Sequence, residues 1–273
     1  MLATLLVPFA LTLVLSLALR VLAKEKSERA AVIPAAIGIL GCWAFLARPG
    51  WVPVDDVRRI LHIGVGAGLL GLALDALRPH RVVTAILAGG FVVGCALASV
   101  TGGIIPKSPL SLRDGVIIAA LAATAYLTLA RFDAMRERPL SLAILLTLVA
   151  FGLALLASIA QEAMLAKLSL ILASGLAGYL VFVAFTGGVA SDGMILIGGA
   201  SALGVVWALA QGHPELRLAL LCLPLVLFAE ATALRVPLPA ARISAFLYPL
   251  VLGLLVGLPL GLAALISFVT TGP

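Results

Sequence analysis

Apolar stretches without a charge, each about long enough to cross a membrane as a helix, recur along the whole chain. The apolar stretch from Ile60 to Leu74 is one example: Arg58 and Arg59 precede it, and Asp75 and Arg78 follow it. A transmembrane helix needs about 20 mainly apolar residues, and its flanking charges lie at the two membrane surfaces. The pattern therefore predicts a membrane-spanning helix in each of these stretches.

The overall composition supports the same conclusion. The chain of 273 residues is 63% hydrophobic and 11% charged, with a mean hydropathy of +1.24. A soluble domain has roughly 25% charged residues, so a water-soluble fold of this size cannot bury so much apolar surface. The predicted fold class is an all-α, polytopic transmembrane bundle that forms a single integral-membrane domain over residues 1–273.

Short polar turns divide the chain into about ten predicted crossings. These are Leu2–Ala23, Ala30–Leu46 (broken at Pro34), Ile60–Leu77, Val82–Val100, Gly115–Ala130, Leu140–Ala160, Leu168–Phe185, Gly193–Ala210, Leu216–Leu234 and Ile243–Val269. Two groups of five helices would have opposite orientations, which permits an inverted repeat of residues 1–136 and 137–273. The two halves share no convincing sequence similarity, so the odd number of helices in each half is the only support for that repeat.

The basic residues predict how the chain is oriented and what it does not bind. The turns after the odd-numbered helices and Arg20 carry 11 of the 18 Lys and Arg residues, with the strongest bias at the first helix. Positive residues favour the cytoplasmic side, so we expect both termini outside the cytoplasm of a bacterial inner membrane. The net charge of +6 is spread over separate turns, which indicates contact with membrane lipids and not with nucleic acid.

Glycines at helical spacing are the clearest packing signal in the sequence. They allow close helix contacts in lipid, and we expect most of them to pack inside the bundle. The alternative is a dimer face, a surface for a membrane-protein partner or a lipid groove on the last helix. The glycines are Gly64, Gly68 and Gly71 in the third helix, Gly90 and Gly94 in the fourth, and Gly253, Gly257 and Gly261 in the tenth.

Ionisable residues within apolar helices are functional candidates by default. Asp75, three residues before Arg78, and Glu230 both lie near the predicted cytoplasmic surface. They are interpreted as residues that reach toward the head groups, with a polar site shared by Asp75 and Glu230 as the alternative. At the start of two later helices, Asp114 and Asp192 are each predicted to be the N-cap.

A second group of polar residues is expected at the opposite surface. Histidines and carboxylates together bind metals or relay protons, but these residues lack the spacing of a known metal motif. They are therefore interpreted as solvated loop charges and helix caps. The group comprises Asp55, Asp56, His62, Glu162, His213 and Glu215.

No cofactor is expected, because the chain has no phosphate-binding loop, dinucleotide fingerprint or nucleophile elbow. Its three cysteines lie inside apolar stretches and show no metal-binding spacing. Three functions remain open. The first is a small permease or flippase-like carrier for a neutral or lipid-like substrate, since no charge lies in the middle of any helix. The others are a non-catalytic subunit of a membrane complex and, last, an intramembrane enzyme acting on lipids, for which no catalytic constellation is evident.

Overall fold

The chain folds as an all-α bundle, as its apolar stretches predict. A computed structural model describes residues 2–23, 32–47, 56–77, 79–101, 111–135, 137–187, 191–237 and 241–271. In that part of the chain, nine helical segments are long and apolar enough to cross a membrane, and a shorter apolar helix covers Ile33–Phe45. The fold class and the expectation of about ten crossings are therefore confirmed.

Seven of the crossings are single helices without an interruption by another helix type. They are α1 (Leu2–Ala23), α3 (Asp56–Leu77), α4 (Arg81–Thr101), α5 (Leu112–Ala134), α6 (Pro139–Ile159), α7 (Ala163–Thr186) and α8 (Asp192–Gly212). An eighth, α11 (Ala241–Thr271), is the longest and continues through Pro249 and Pro259. Pro8 is likewise inside α1. These three prolines therefore do not end the helices that contain them.

The second crossing is short and irregular. It begins as α2 (Val32–Ala36), which contains Pro34, and continues as two π-helical stretches, Ile37–Gly41 and Trp43–Ala47. The hydrogen bonds of a π-helix join residues five apart, one more than in an α-helix, and such turns are often found at functional sites. The apolar pattern predicted a helix here with a break at Pro34, but it contained no signal for π geometry.

The ninth crossing is not one regular helix, which corrects the prediction for Leu216–Leu234. It consists of two 3₁₀ turns and two short α-helices, in the order Pro214–Leu216, α9 (Arg217–Leu220), Leu223–Phe228 and α10 (Ala229–Ala233). Pro224 has no backbone N–H to donate within the segment, and proline also clashes with the preceding helical turn. The apolar composition fits a crossing, and Pro224 removes one of the backbone hydrogen bonds that a continuous α-helix would make there.

Two serines, and not the predicted aspartates, are the N-caps of α5 and α8. Ser111 accepts a hydrogen bond from the backbone N–H of Asp114, whose carboxylate in turn accepts one from the N–H of Ser111, which forms a capping box. Ser191 accepts from the N–H of Met194, and Asp192 is the first residue of α8. Both aspartates lie in the first helical turn, where the helix dipole still favours a negative charge.

The helix ends meet at two opposite surfaces of the bundle. At the first, which we call the Asp75 surface, the end of α3 contacts the start of α8, and Arg20 near the end of α1 donates to the Thr186 carbonyl at the end of α7. At the other, the His213 surface, the turn between α6 and α7 contacts the turn after α8. The helices α6, α7 and α8 form the buried centre, and α4 and α5 are the least buried crossings.

Candidate functional site

Asp75 is buried where α3 meets the first turn of α8. Only 6% of the residue is exposed, and its carboxylate accepts hydrogen bonds from the backbone N–H groups of Asp192 at 2.8 Å and Gly193 at 3.3 Å. Gly71, one turn earlier in α3, allows α3 and α8 to approach each other this closely. A Cβ at this position would overlap the backbone of Gly193. Asp75 therefore binds the start of a neighbouring helix, which differs from the expected orientation toward head groups. Arg78 lies outside the described residues.

Glu230 is buried at the same surface but has different partners. Its side chain is 6% exposed and pairs with Arg138 at 2.9 Å and with Arg131 at 3.9 Å. Arg131 also donates to the carbonyl of Leu227, in the 3₁₀ stretch before α10. Glu230 thus connects the irregular ninth crossing to the last turn of α5 and to the start of α6. Asp75 and Glu230 have separate binding partners, so a site shared by the two carboxylates stays a prediction.

Three of the six polar residues expected at the opposite surface come together. The Nε2 atom of His213 lies 3.0 Å from Glu162, and its Nδ1 atom lies 2.9 Å from Glu215. Partial burial of the ring disfavours the charged form, but the hydrogen bonds and the negative charges of the two carboxylates outweigh it and raise the pKa of His213. His62 is exposed on α3.

The structure does not assemble the metal or catalytic alternatives from this group. Among the described residues, no set of three or more His, Cys, Asp or Glu side chains has the arrangement of a metal site. Asp55 lies outside the described residues, as does the side chain of Asp56. Both ring nitrogens of His213 contact carboxylates. The intramembrane-enzyme alternative stays a prediction, since the described residues do not include Asp55.

A neutral polar zone extends inside the bundle from its middle toward the His213 surface. The irregular second crossing contacts α7, where the Trp43 ring N–H donates to the carbonyl of Leu168 at 2.9 Å. A Cβ at Gly64 of α3 would lie 2.7 Å from the Trp43 ring and 3.4 Å from the Ser201 hydroxyl. Gly38 in the second crossing packs directly against Thr12 of α1. Trp43 is fully buried here.

Several hydroxyls near this zone have no hydrogen-bond partner within the described part of the chain. They belong to Thr12, Ser169 and Ser201, which are 0% exposed; the hydroxyls of Ser16 and Ser267 also lack a partner among the described residues. Other hydroxyls in the same bundle bind the carbonyl four residues earlier, as Thr147 and Ser158 do at 2.7 and 2.8 Å. The difference matters because an unpartnered buried polar group costs about 1–3 kcal/mol. Thr12 and Ser201 lie halfway along α1 and α8, near the centre of the membrane.

The glycines of the predicted packing faces fall into two classes. A Cβ at Gly68 would lie 3.3 Å from Leu40, so Gly64, Gly68 and Gly71 face neighbouring helices. At the remaining positions, an added Cβ would meet no heavy atom of the described chain within 4 Å; these are Gly90, Gly94, Gly253, Gly257 and Gly261. Among these predicted glycines, close packing against the described chain is thus found only in α3. No described residue covers the glycine faces of α4 and α11, which leaves them accessible to lipid or to another protein.

Sequence reasoning missed Thr12, Ser169 and Ser201 because single hydroxyl residues are common in transmembrane helices. The only local signal was the small and polar composition of the second crossing around Gly38, Gly41 and Cys42. No model of a known protein family matches the chain, and a search of curated proteins found no significant match.

Proposed function

We propose that the protein is a membrane carrier for a neutral or lipid-like substrate, which crosses the bilayer along the second crossing. The observation that carries the proposal is the group of unpartnered hydroxyls beside π-helical backbone at mid-membrane depth. Buried polar groups without partners call for an explanation. A substrate with hydrogen-bonding groups would supply the missing partners for Thr12 and Ser201 during transport.

The charge distribution supports a neutral substrate. The sequence places no Asp, Glu, Lys or Arg near the middle of any crossing, and a charge there is kept only where it has a use. Asp75 and Glu230 already have protein partners at one surface. A neutral or zwitterionic substrate needs hydrogen-bonding groups but no buried counter-ion, which agrees with a zone of hydroxyls and one indole.

The irregular crossings supply the means for movement. Regular helices in lipid satisfy all their backbone groups internally, and irregular backbone is tolerated only where protein or a cavity surrounds it. The second crossing has α1, α3, α7 and α8 as neighbours, so its π-helical stretches lie inside the bundle. A change between π and α geometry would shift Ile39 and Trp43 relative to α7 and would alter access to the hydroxyls.

Transport can be tested with the purified protein in lipid vesicles. The first probe is phosphatidylcholine with a fluorescent label on a short acyl chain, whose inner-leaflet fraction becomes accessible to an external reductant only after translocation. The second probe is glycerol, whose entry is followed by vesicle swelling. We expect faster movement of at least one probe than in protein-free vesicles. Background rates for both probes would refute the carrier.

Substitutions connect the activity to the hydroxyl zone. Thr12→Val and Ser201→Ala should each slow transport about tenfold, because one lost hydrogen bond of about 1–1.5 kcal/mol corresponds to that factor. Thr124→Val is the matched control, since Thr124 is exposed on α5 and its hydroxyl binds the Ala120 carbonyl. Equal losses in all three variants would indicate a general structural effect and would contradict the assignment of the zone.

A non-catalytic subunit of a membrane complex is the second candidate, and the open glycine faces of α4 and α11 favour it. Small residues without a packed neighbour allow another helix to approach closely. Purification in a mild detergent separates the two candidates. A partner protein at constant stoichiometry would support the subunit, whereas a monomer or homodimer that moves a probe supports the carrier.

We also propose that the protein resides in a bacterial inner membrane with both termini outside the cytoplasm. The excess of Lys and Arg after the odd-numbered helices supports this orientation. A topology reporter fused after Phe132, near the end of α5, should be cytoplasmic. An external reporter at that position would overturn the orientation.

A further inference from the structure

His213 joins two turns at the surface opposite Asp75. Glu162 directly precedes α7 in the turn after α6, His213 follows α8, and Glu215 lies in the 3₁₀ turn that starts the ninth crossing. The ring is 20% exposed, and the two carboxylate side chains are 43% and 38% exposed. His213 therefore links the two turns. Its Nε2 atom bonds to Glu162 in the first turn, and its Nδ1 atom bonds to Glu215 in the second.

This geometry requires the charged form of the histidine. An ionised carboxylate only accepts hydrogen bonds, and a neutral imidazole has one donor nitrogen and one acceptor nitrogen. Only the imidazolium can donate to Glu162 and Glu215 at the same time. After loss of the proton, one ring nitrogen would face a carboxylate lone pair, which is repulsive.

The other charged groups around the ring do not replace it. Arg217 donates to the Ala210 carbonyl at 3.0 Å and lies beside Glu215. Lys167 is further along α7, and neither α6 nor the end of α11 at this surface contributes an ionisable residue. From α3, Arg59 donates to the Ser99 carbonyl, and His62 is exposed. The end of α8 adds the negative pole of its dipole, which further favours a cation at His213.

The turn itself is held in an uncommon backbone conformation. Gln161 has a φ of 61°, the left-handed region that residues other than glycine rarely adopt because the Cβ atom approaches the following carbonyl oxygen. This conformation places Glu162 next to the histidine. Breaking the hydrogen bond of Glu162 to His213 would remove one of the contacts that hold Gln161 there.

We propose that Glu162, His213 and Glu215 form a pH-dependent latch, which fastens the α6–α7 turn to the α8–ninth-crossing turn when the histidine is protonated and releases it when the histidine is neutral. The latch requires no transported substrate, so it stands independently of the carrier proposal. Because the folded protein raises the pKa of His213, its stabilising contribution is fully present below the ordinary value of about 6.5 and is lost as the pH rises through the raised value.

The test measures hydrogen–deuterium exchange and thermal unfolding of the full-length protein in detergent at pH 5.5 and 8.5. Exchange rates are corrected for the intrinsic effect of pH. The wild type should exchange faster at the higher pH in residues 157–166 and 209–216, and its melting temperature should fall by about 2–4 °C. His213→Gln should be open at both pH values, and His213→Lys, a permanent cation, should be closed at both.

His62→Gln provides the matched control, because His62 is an exposed histidine on α3 near the same surface. This variant should keep the pH dependence of the wild type. If His213→Gln fails to fold, Glu215→Gln removes one of the two charges and should reduce the pH effect. The latch is refuted if the wild type shows no pH-dependent exchange in the two turns, or if His213→Gln or His213→Lys keeps the full dependence.

Discussion

Removal of the Asp75 carboxylate should destabilise the bundle more than the loss of a surface charge. Asp75→Ala leaves the N–H groups of Asp192 and Gly193 without their acceptor at a buried helix start. A hydrogen bond to a charged group contributes about 1.5–3 kcal/mol, and a favourable charge at a helix start adds up to about 2 kcal/mol. Since Ser191 still caps the helix, we expect a total loss of about 2–5 kcal/mol.

The loss can be measured as a change in melting temperature in a mild detergent, followed by size-exclusion chromatography of the heated protein. For a chain of this size, 1 kcal/mol corresponds to about 2–4 °C, so Asp75→Ala should melt about 5–15 °C below the wild type. Asp75→Asn keeps one acceptor oxygen and should lose about half as much. Glu137→Ala, at an exposed position in the turn between α5 and α6, is the control and should change little.

Equal melting temperatures of Asp75→Ala and Glu137→Ala, within about 1 °C, would contradict this role of Asp75, because 1 kcal/mol alone corresponds to a larger shift. Asp75 would then not bind the start of α8, and orientation toward the head groups would be restored as its role. A different result, normal stability with lost transport, would instead support the predicted polar site shared by Asp75 and Glu230.

Three further variants test separate contacts in the same thermal assay. Gly71→Ala should cost about 1–3 kcal/mol because its methyl group overlaps the α8 backbone, whereas Gly94→Ala, with open space around it, should be neutral or stabilising. Glu230→Gln should cost about 1–3 kcal/mol because two arginines lose a buried anion, and a result equal to the wild type would contradict these ion pairs. Gln161→Gly should melt no lower than the wild type, because glycine adopts the left-handed φ freely; a clear loss would contradict the observed conformation.

The crossings were predictable from the sequence because each one is a local property of about 20 residues. The sequence also contained the polar residues that matter at both surfaces, including Asp75, Glu230 and His213. Their partners were not predictable, since Asp75 binds backbone groups 117 and 118 residues later in the chain. Backbone N–H groups have no signature in the sequence. For Glu230, the sequence suggested a site shared with Asp75, whereas its partners are Arg131 near the end of α5 and Arg138 just before α6.

Irregular backbone was harder to predict than helix position. Pro34 indicated a break in the second crossing, yet three other prolines lie inside continuous α-helices. The sequence of Ile37–Gly41 is apolar and small, which suits an α-helix as well as a π-helix. Its geometry depends on close contact with α1 and α7, where Gly38 meets Thr12 and Gly175 meets Ile39. Such contacts arise only when the bundle is assembled.

Thr12→Val separates a functional role of the hydroxyl zone from simple packing. Valine has almost the same shape as threonine, and replacement of a buried hydroxyl that has no partner should stabilise the protein by about 1–3 kcal/mol. Thr147→Val is the control, because that hydroxyl already binds the Ala143 carbonyl and its loss should gain nothing. If Thr12 serves a substrate, the variant should melt higher and transport more slowly, since stability and activity often conflict at functional sites. A variant that is more stable and equally active would show that the hydroxyl of Thr12 has no part in transport.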